Sequence, residues 1–313
     1  MPGSSAPAPG IVFDPVEIHP DLRILRAATT AGDWPMVTKF FARCGTADEA
    51  SFGVSIVSET PEAERLLEEV VAREPLSSLP RVILAARYVH LAWDVRTAQR
   101  AKHVSKEQFA GMRAHLCRAE PLLVETTARE PANVLAWSQR LTTGMGLELG
   151  QSEARRRYDR LAAHNPRFLA AQRRMLQQVC PKWGGSWETA HAFAEECRRG
   201  HPAGGLVVAD VHLEHWLELG RAHGDAYLRR PDVHQDLVAA AQGSVLHPEF
   251  RSRYGWLDAH STFALMFSLI GDWPRAAAHF RAMGGAAGES RWGYLGDAGT
   301  QFHHYRAIAL ARG

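Results

Sequence analysis

Histidine and cysteine are the residues in this chain whose spacing could do chemistry. Cys197 and His201 stand four apart, and His212 and His215 three apart in VHLEHW, with Glu214 between them. On helices each pair would project from one side. Two such helices lying antiparallel could assemble a zinc site, and with it a metal-dependent enzyme centred on His212 and His215. Two features weigh against that reading. Gly200, Pro202, Gly204 and Gly205 interrupt the path after Cys197 and put His201 beyond a helix end. Metal centres also need three or four converging ligands, and no HExxH or CxxC pattern supplies them. We therefore expect no bound metal and no other cofactor.

A second stretch is basic. From Glu153 to Arg174 run Arg155, Arg156, Arg157, Arg160, Arg167, Arg173 and Arg174, against only Glu153 and Asp159. Such a stripe could hold phosphates or an acidic ligand. The net charge of the whole chain is only +2, however. No global field draws it toward nucleic acid, and no nucleic-acid-binding module is visible, so nucleic acid is disfavoured as a partner. Lysine is confined to Lys39, Lys102, Lys106 and Lys182. A phosphate loop, a strand followed by GxGxxG and a GxSxG elbow are all missing, which leaves no reaction to name.

The stretch PKWGGSW, from Pro181 to Trp187, sits between two helical patterns. Pro181 cannot continue the incoming helix, and Gly184 and Gly185 allow the positive φ of a sharp reversal. Ser186 is placed to cap the next helix, with Glu188 in its first turn. Each element has a structural task. The competing reading is that Lys182, Trp183 and Trp187 form a recognition edge.

These features need elements to position them, and the elements are helical. Apolar residues recur at three- and four-residue spacing: after Pro166, Phe168, Ala171, Met175 and Val179 fall on one side, leaving Arg173, Arg174 and Gln177 to other faces. FGVSIVS, from Phe52, is the only plausible short strand. Helix-breaking prolines recur at Pro75, Pro131, Pro166, Pro202 and Pro248. The two central intervals are 35 and 36 residues, each enough for two helices and their turns. The flanking intervals, 56 and 46, need extended or additional helices, with Pro121 kinking one.

A second repeat places AGDWPMVTKFFA at Ala31 and IGDWPRAAAHFRAM at Ile270. Glycine ends the incoming helix in a left-handed cap, Asp caps the next helix, and Pro occupies its first turn. The stretch Phe263 to Met283 resembles a tetratricopeptide repeat. Phe263, Ala264 and Phe267 match its first helix, and Gly271, Trp273, Ala276 and Phe280 its turn and second helix. Met283 stands where alanine is usual, and Gly288 where a closing proline is usual. Ile24 to Cys44 resembles it less, with Leu25 at a position for a small residue. The KWGGS turn is similar to that of uncharacterised bacterial helical-repeat proteins, a similarity that implies no activity.

The expected fold is all-α: a right-handed solenoid of stacked antiparallel helical hairpins, one elongated domain over 16–313 after a disordered lead over 1–15. MPGSSAPAPG lacks the basic region and apolar core of a signal peptide. FALMFSLIG is too short for a bilayer, which needs about 20 residues. Four cysteines without a CxxC pair suit reduced thiols in the cytoplasm. The expected function is non-enzymatic: binding an unidentified protein or peptide, and no membrane, on the concave face of the stack. Its expected anchors are Trp137, Arg140, Lys182, Trp183, Trp187, His212 and Trp216. The alternatives are the metal-dependent enzyme near His212 and His215, and an acidic-ligand or nucleic-acid binder using Arg155 to Arg174.

Overall fold

The computed structural model describes residues 10–97, 99 and 103–313. Among them helix is the only regular structure apart from one isolated bridge, Val12 to Ala286. No helix among the described residues is long and apolar enough to cross a membrane. Residues 1–9 of the expected lead lie outside the described residues. Val12 donates to Gly285 O at 3.0 Å and accepts from Ala287 N at 3.1 Å, and a short helix α1 follows at Pro15–Ile18. The chain forms two compact units, one of residues 20–207 and one of 208–313 with the segment up to His19.

The 20–207 unit contains α2 (Pro20–Thr30), α3 (Trp34–Phe41), α4 (Ala47–Glu59), α5 (Ala63–Arg73), α6 (Ser78–Arg96) and α7 (Lys106–Arg129). It continues with α8 (Val134–Gly146), α9 (Gln151–Ala162), α10 (Leu169–Val179) and α11 (Trp187–Gly200). Successive helices pack in pairs, α2 with α3 through α10 with α11, and the first member of each pair packs on the first member of the next. Helix α4 also meets α8 and α10, so the inner faces are filled by the chain itself.

The sequence explains this filling. Pro80 to Val89 of α6 are all buried in an unbroken run, as are Ala136 to Leu141 of α8. A helix buried on every side must satisfy its own charges. Arg87 of α6 donates to Glu64 at 2.7 Å and to Ser58 O at 2.9 Å, and Arg81 pairs with Glu125. Helix α10 lacks a capping side chain at Phe168, and Asp48 of α4 supplies one, accepting from Ala170 N at 3.0 Å. Burial pushes the Asp48 carboxyl pKa up, against the pull of those backbone donors.

One sequence expectation is corrected here. FGVSIVS is helical, inside α4: Thr46 accepts from Glu49 N at 3.1 Å to cap the helix, and Val54, Ile56 and Val57 are buried at 1, 3 and 0% exposure. A short apolar run cannot by itself be assigned to strand or helix, and helical neighbours take up its branched side chains. Pro121 lies inside α7, a single extended helix. The five recurrent prolines do fall between helices, and Phe168, Ala171, Met175 and Val179 are all buried together.

The other unit contains α12 (Gly205–Leu228), which begins in the first unit, α13 (Pro231–Gly243) and α14 (Trp256–Ile270). After these come α15 (Trp273–Met283), α16 (Glu289–Gly293) and α17 (Ala298–Arg312). Ser261 to Leu269 of α14 are buried without a break. The turn into α15 has the expected chemistry: Gly271 at φ 89°, then Asp272 accepting from Arg275 N, with Pro274 in the first turn. The first copy repeats it, with Gly32 at φ 71° and Asp33 accepting from Met36 N at 3.0 Å.

Candidate functional site

The PKWGGSW turn is built as its residues dictate. Helix α10 stops at Val179, Pro181 to Trp183 make a single 3₁₀ turn, and Gly184 takes φ 84°. Gly185 is demanded by closeness: a Cβ there would lie 1.9 Å from Val179 O. Ser186 accepts from Thr189 N at 3.1 Å and opens α11. Gln151 at the start of α9 clamps the turn, its side-chain amide donating to Gln178 O at 2.5 Å and Trp183 O at 2.9 Å.

That clamp holds Trp183 half-exposed against Trp93, near the end of α6. The two indoles meet edge to face, with centroids 6.0 Å apart and planes at 88°. Arg96 lies over both, its guanidinium carbon 5.4 Å from the Trp93 ring and 5.9 Å from the Trp183 ring. One Arg96 nitrogen donates to Thr97 O and Gln99 O, at 3.0 and 3.2 Å. Thr97 itself sits at φ 68°, a strained conformation for a β-branched residue. The buried Trp93 Nε1 has no hydrogen-bond partner among the described residues. Beside it, Val95 is 36% exposed and lies against Gly111 of α7. Lys182 is exposed on the turn, and Trp187 is half-exposed beside His191.

The other anchors expected from sequence are held inside the protein. Trp137 is buried, donating to Pro131 O at 2.9 Å, with Arg140 over its ring at 4.9 Å. Arg140 donates to Thr127 at 3.0 Å and to Glu120, and burial, with Arg157 nearby, lowers its pKa. His212 is 3% exposed, with Nδ1 2.6 Å from the Tyr227 hydroxyl and Nε2 3.0 Å from Asp236. Trp216 is buried and donates to Asp225 at 2.8 Å. Both contacts arise because α12 reverses at Gly220, whose φ is 70°, and because Gly224 has no side chain where Trp216 packs.

The two chemistry-bearing constellations resolve similarly. Burial pushes the Cys197 thiol up to about 12, with Tyr158 its hydrogen-bond partner. His201 follows the end of α11 and shares a 3.2 Å contact with Gln172. His215 lies against Tyr227 with ring centroids 4.3 Å apart. Among the described residues no group of three or more His, Cys, Asp or Glu could hold a metal ion. In the basic stripe, Arg157 donates to Glu120 and Glu153 at 2.7 Å, and Arg155 bonds Glu196 at 3.1 Å and Asp159 at 2.8 Å. The Arg156 and Arg157 guanidiniums hold the Glu153 carboxyl down to about 2. Three of the stripe's seven arginines are therefore paired with carboxylates of the chain itself.

Trp93 and Arg96 were not singled out by sequence reasoning. Their signal was a tryptophan and an arginine three apart at a helix end, which places both on one face. In comparison with known proteins, the chain matches no family model, no curated protein and no solved structure.

Proposed function

We propose that this is a non-enzymatic, protein- or peptide-binding helical-repeat protein, built of degenerate tetratricopeptide-like hairpins stacked in a right-handed sense. The paired helices of the 20–207 unit and the two GDWP turns support that architecture. The observation that carries the function is the half-exposed Trp93–Trp183 pair capped by Arg96. Tryptophan and arginine are the residues in which binding energy concentrates, and Trp183 is held against the other two by a turn that tolerates little change. The binding surface in this reading is the indole patch, because the inner faces of the unit are occupied by α4, α6, α8 and α10.

The test is purification of the full chain from its own cells at moderate salt, beside Trp183→Ala. A stoichiometric protein that accompanies the wild type and not the variant is the expected outcome, with the two melting within a few degrees of each other. Retention of the same partner by the variant would move the site elsewhere.

A further inference from the structure

The patch carries an arginine without a carboxylate, and this bears on what it binds. Several arginines of the unit meet carboxylates: Arg81 with Glu125, Arg87 with Glu64, Arg118 with Glu68, Arg140 and Arg157 with Glu120. Arg96 meets none among the described residues. One of its nitrogens donates to two backbone carbonyls, and the neighbouring Asp94 is taken by His90 at 3.1 Å. Its guanidinium carbon lies over both indole rings, and its other N–H groups meet no acceptor among the described residues. A guanidinium edge of this kind fits a carboxylate, which can accept two parallel hydrogen bonds. The flanking apolar surface, Trp183 and Val95, suits an apolar side chain next to that carboxylate, and exposed Lys182 adds charge of the same sign.

Building on the peptide-binding function above, we propose that the occupant of the patch is an acidic peptide segment, with an Asp or Glu carboxylate on the Arg96 edge and an adjacent apolar side chain on the Trp93 and Trp183 indoles. The arginines from Arg155 to Arg157 are no rival site for it, because they already hold internal carboxylates.

The experiment is selection of a random linear-peptide display library on the full-length protein, with each selected peptide then titrated against wild type, Trp183→Ala, Arg96→Gln and Arg96→Lys. Circular dichroism confirms that each variant is folded. The expected result is a set of peptides rich in Asp or Glu beside an apolar residue. They should be lost with Trp183→Ala and bind Arg96→Gln about tenfold more weakly, the cost of one charge-assisted hydrogen bond. Arg96→Lys, which keeps the charge and loses the fork, should fall between. Peptides that need Trp183 but carry no acid, or ignore Arg96→Gln, would overturn the acidic occupant and leave the peptide-binding function standing. A selection yielding no Trp183-dependent peptide would overturn both. Sedimentation showing a Trp183-dependent dimer would assign the face to a second copy of the chain and overturn the acidic peptide.

Discussion

Trp137 and Trp216 on one side, and Trp93 and Trp183 on the other, show two uses of one side chain. The first two are buried, and each indole N–H has a fixed acceptor, Pro131 O or Asp225. The second two are half-exposed, and the buried Trp93 N–H has none among the described residues. A buried tryptophan with its N–H satisfied is committed to the fold. The half-exposed pair under an arginine is where the proposed binding is placed. Size and aromaticity are equal in both cases, so what separates them is the partner of the polar edge.

The comparison breaks most directly at the buried pair. Trp137→Ala and Trp216→Ala should each cost about 3–5 kcal/mol in urea unfolding, the usual loss for a large core aromatic. A loss below 1 kcal/mol at either would mean that these rings are not core.

His279 is a third case, buried at 1% exposure with Nε2 lacking a partner and Nδ1 2.9 Å from Nδ1 of His260. Burial, and then the neighbouring His260, hold its pKa down to about 3. An unfolded histidine titrates near 6.5, so below that pH the unfolded chain binds the extra proton. Stability from this residue is therefore complete above about pH 6.5 and falls as pH drops toward 3, by about 1.4 kcal/mol per pH unit. His279→Phe, whose ring can stack with Phe263 and Phe267, should flatten that slope in urea midpoints measured between pH 4 and 7. An unchanged slope would place the proton uptake elsewhere.

A smaller effect is expected at the turn that holds the patch. Gly185→Ala forces a Cβ against Val179 O and should cost about 1–3 kcal/mol, the range for overpacking. It should also weaken whatever binding Trp183 supports. The smallest effect is at the patch itself: Trp183→Ala should cost about 1 kcal/mol or less in stability while abolishing binding. If it instead destabilises as much as Trp216→Ala, the contrast between the two pairs fails.

Local chemistry was legible in the residues. GDWP implied a left-handed glycine, an Asp cap and a proline in the first turn, and both copies have these. PKWGGSW implied a stop, a reversal and a Ser cap, which are present. FGVSIVS misled because a short run with four large apolar residues in seven fits either period, and only the surroundings of α4 settle the matter. The patch was half legible: Trp183 stood out in its turn, while Trp93 was hidden in a helix whose pattern is apolar on every side.

What the sequence determined by itself is where helices stop and start, because caps and turns are bonds between residues two to six apart. What only the tertiary structure decided is which tryptophans and arginines are spent inside. Arg157 finds Glu120 thirty-seven residues away, and Asp48 caps a helix 122 residues on. Trp93 and Trp183 meet across 90 residues of the chain. Such partners are chosen by packing, which brings distant residues together and alone determines which polar edges find a partner inside the protein.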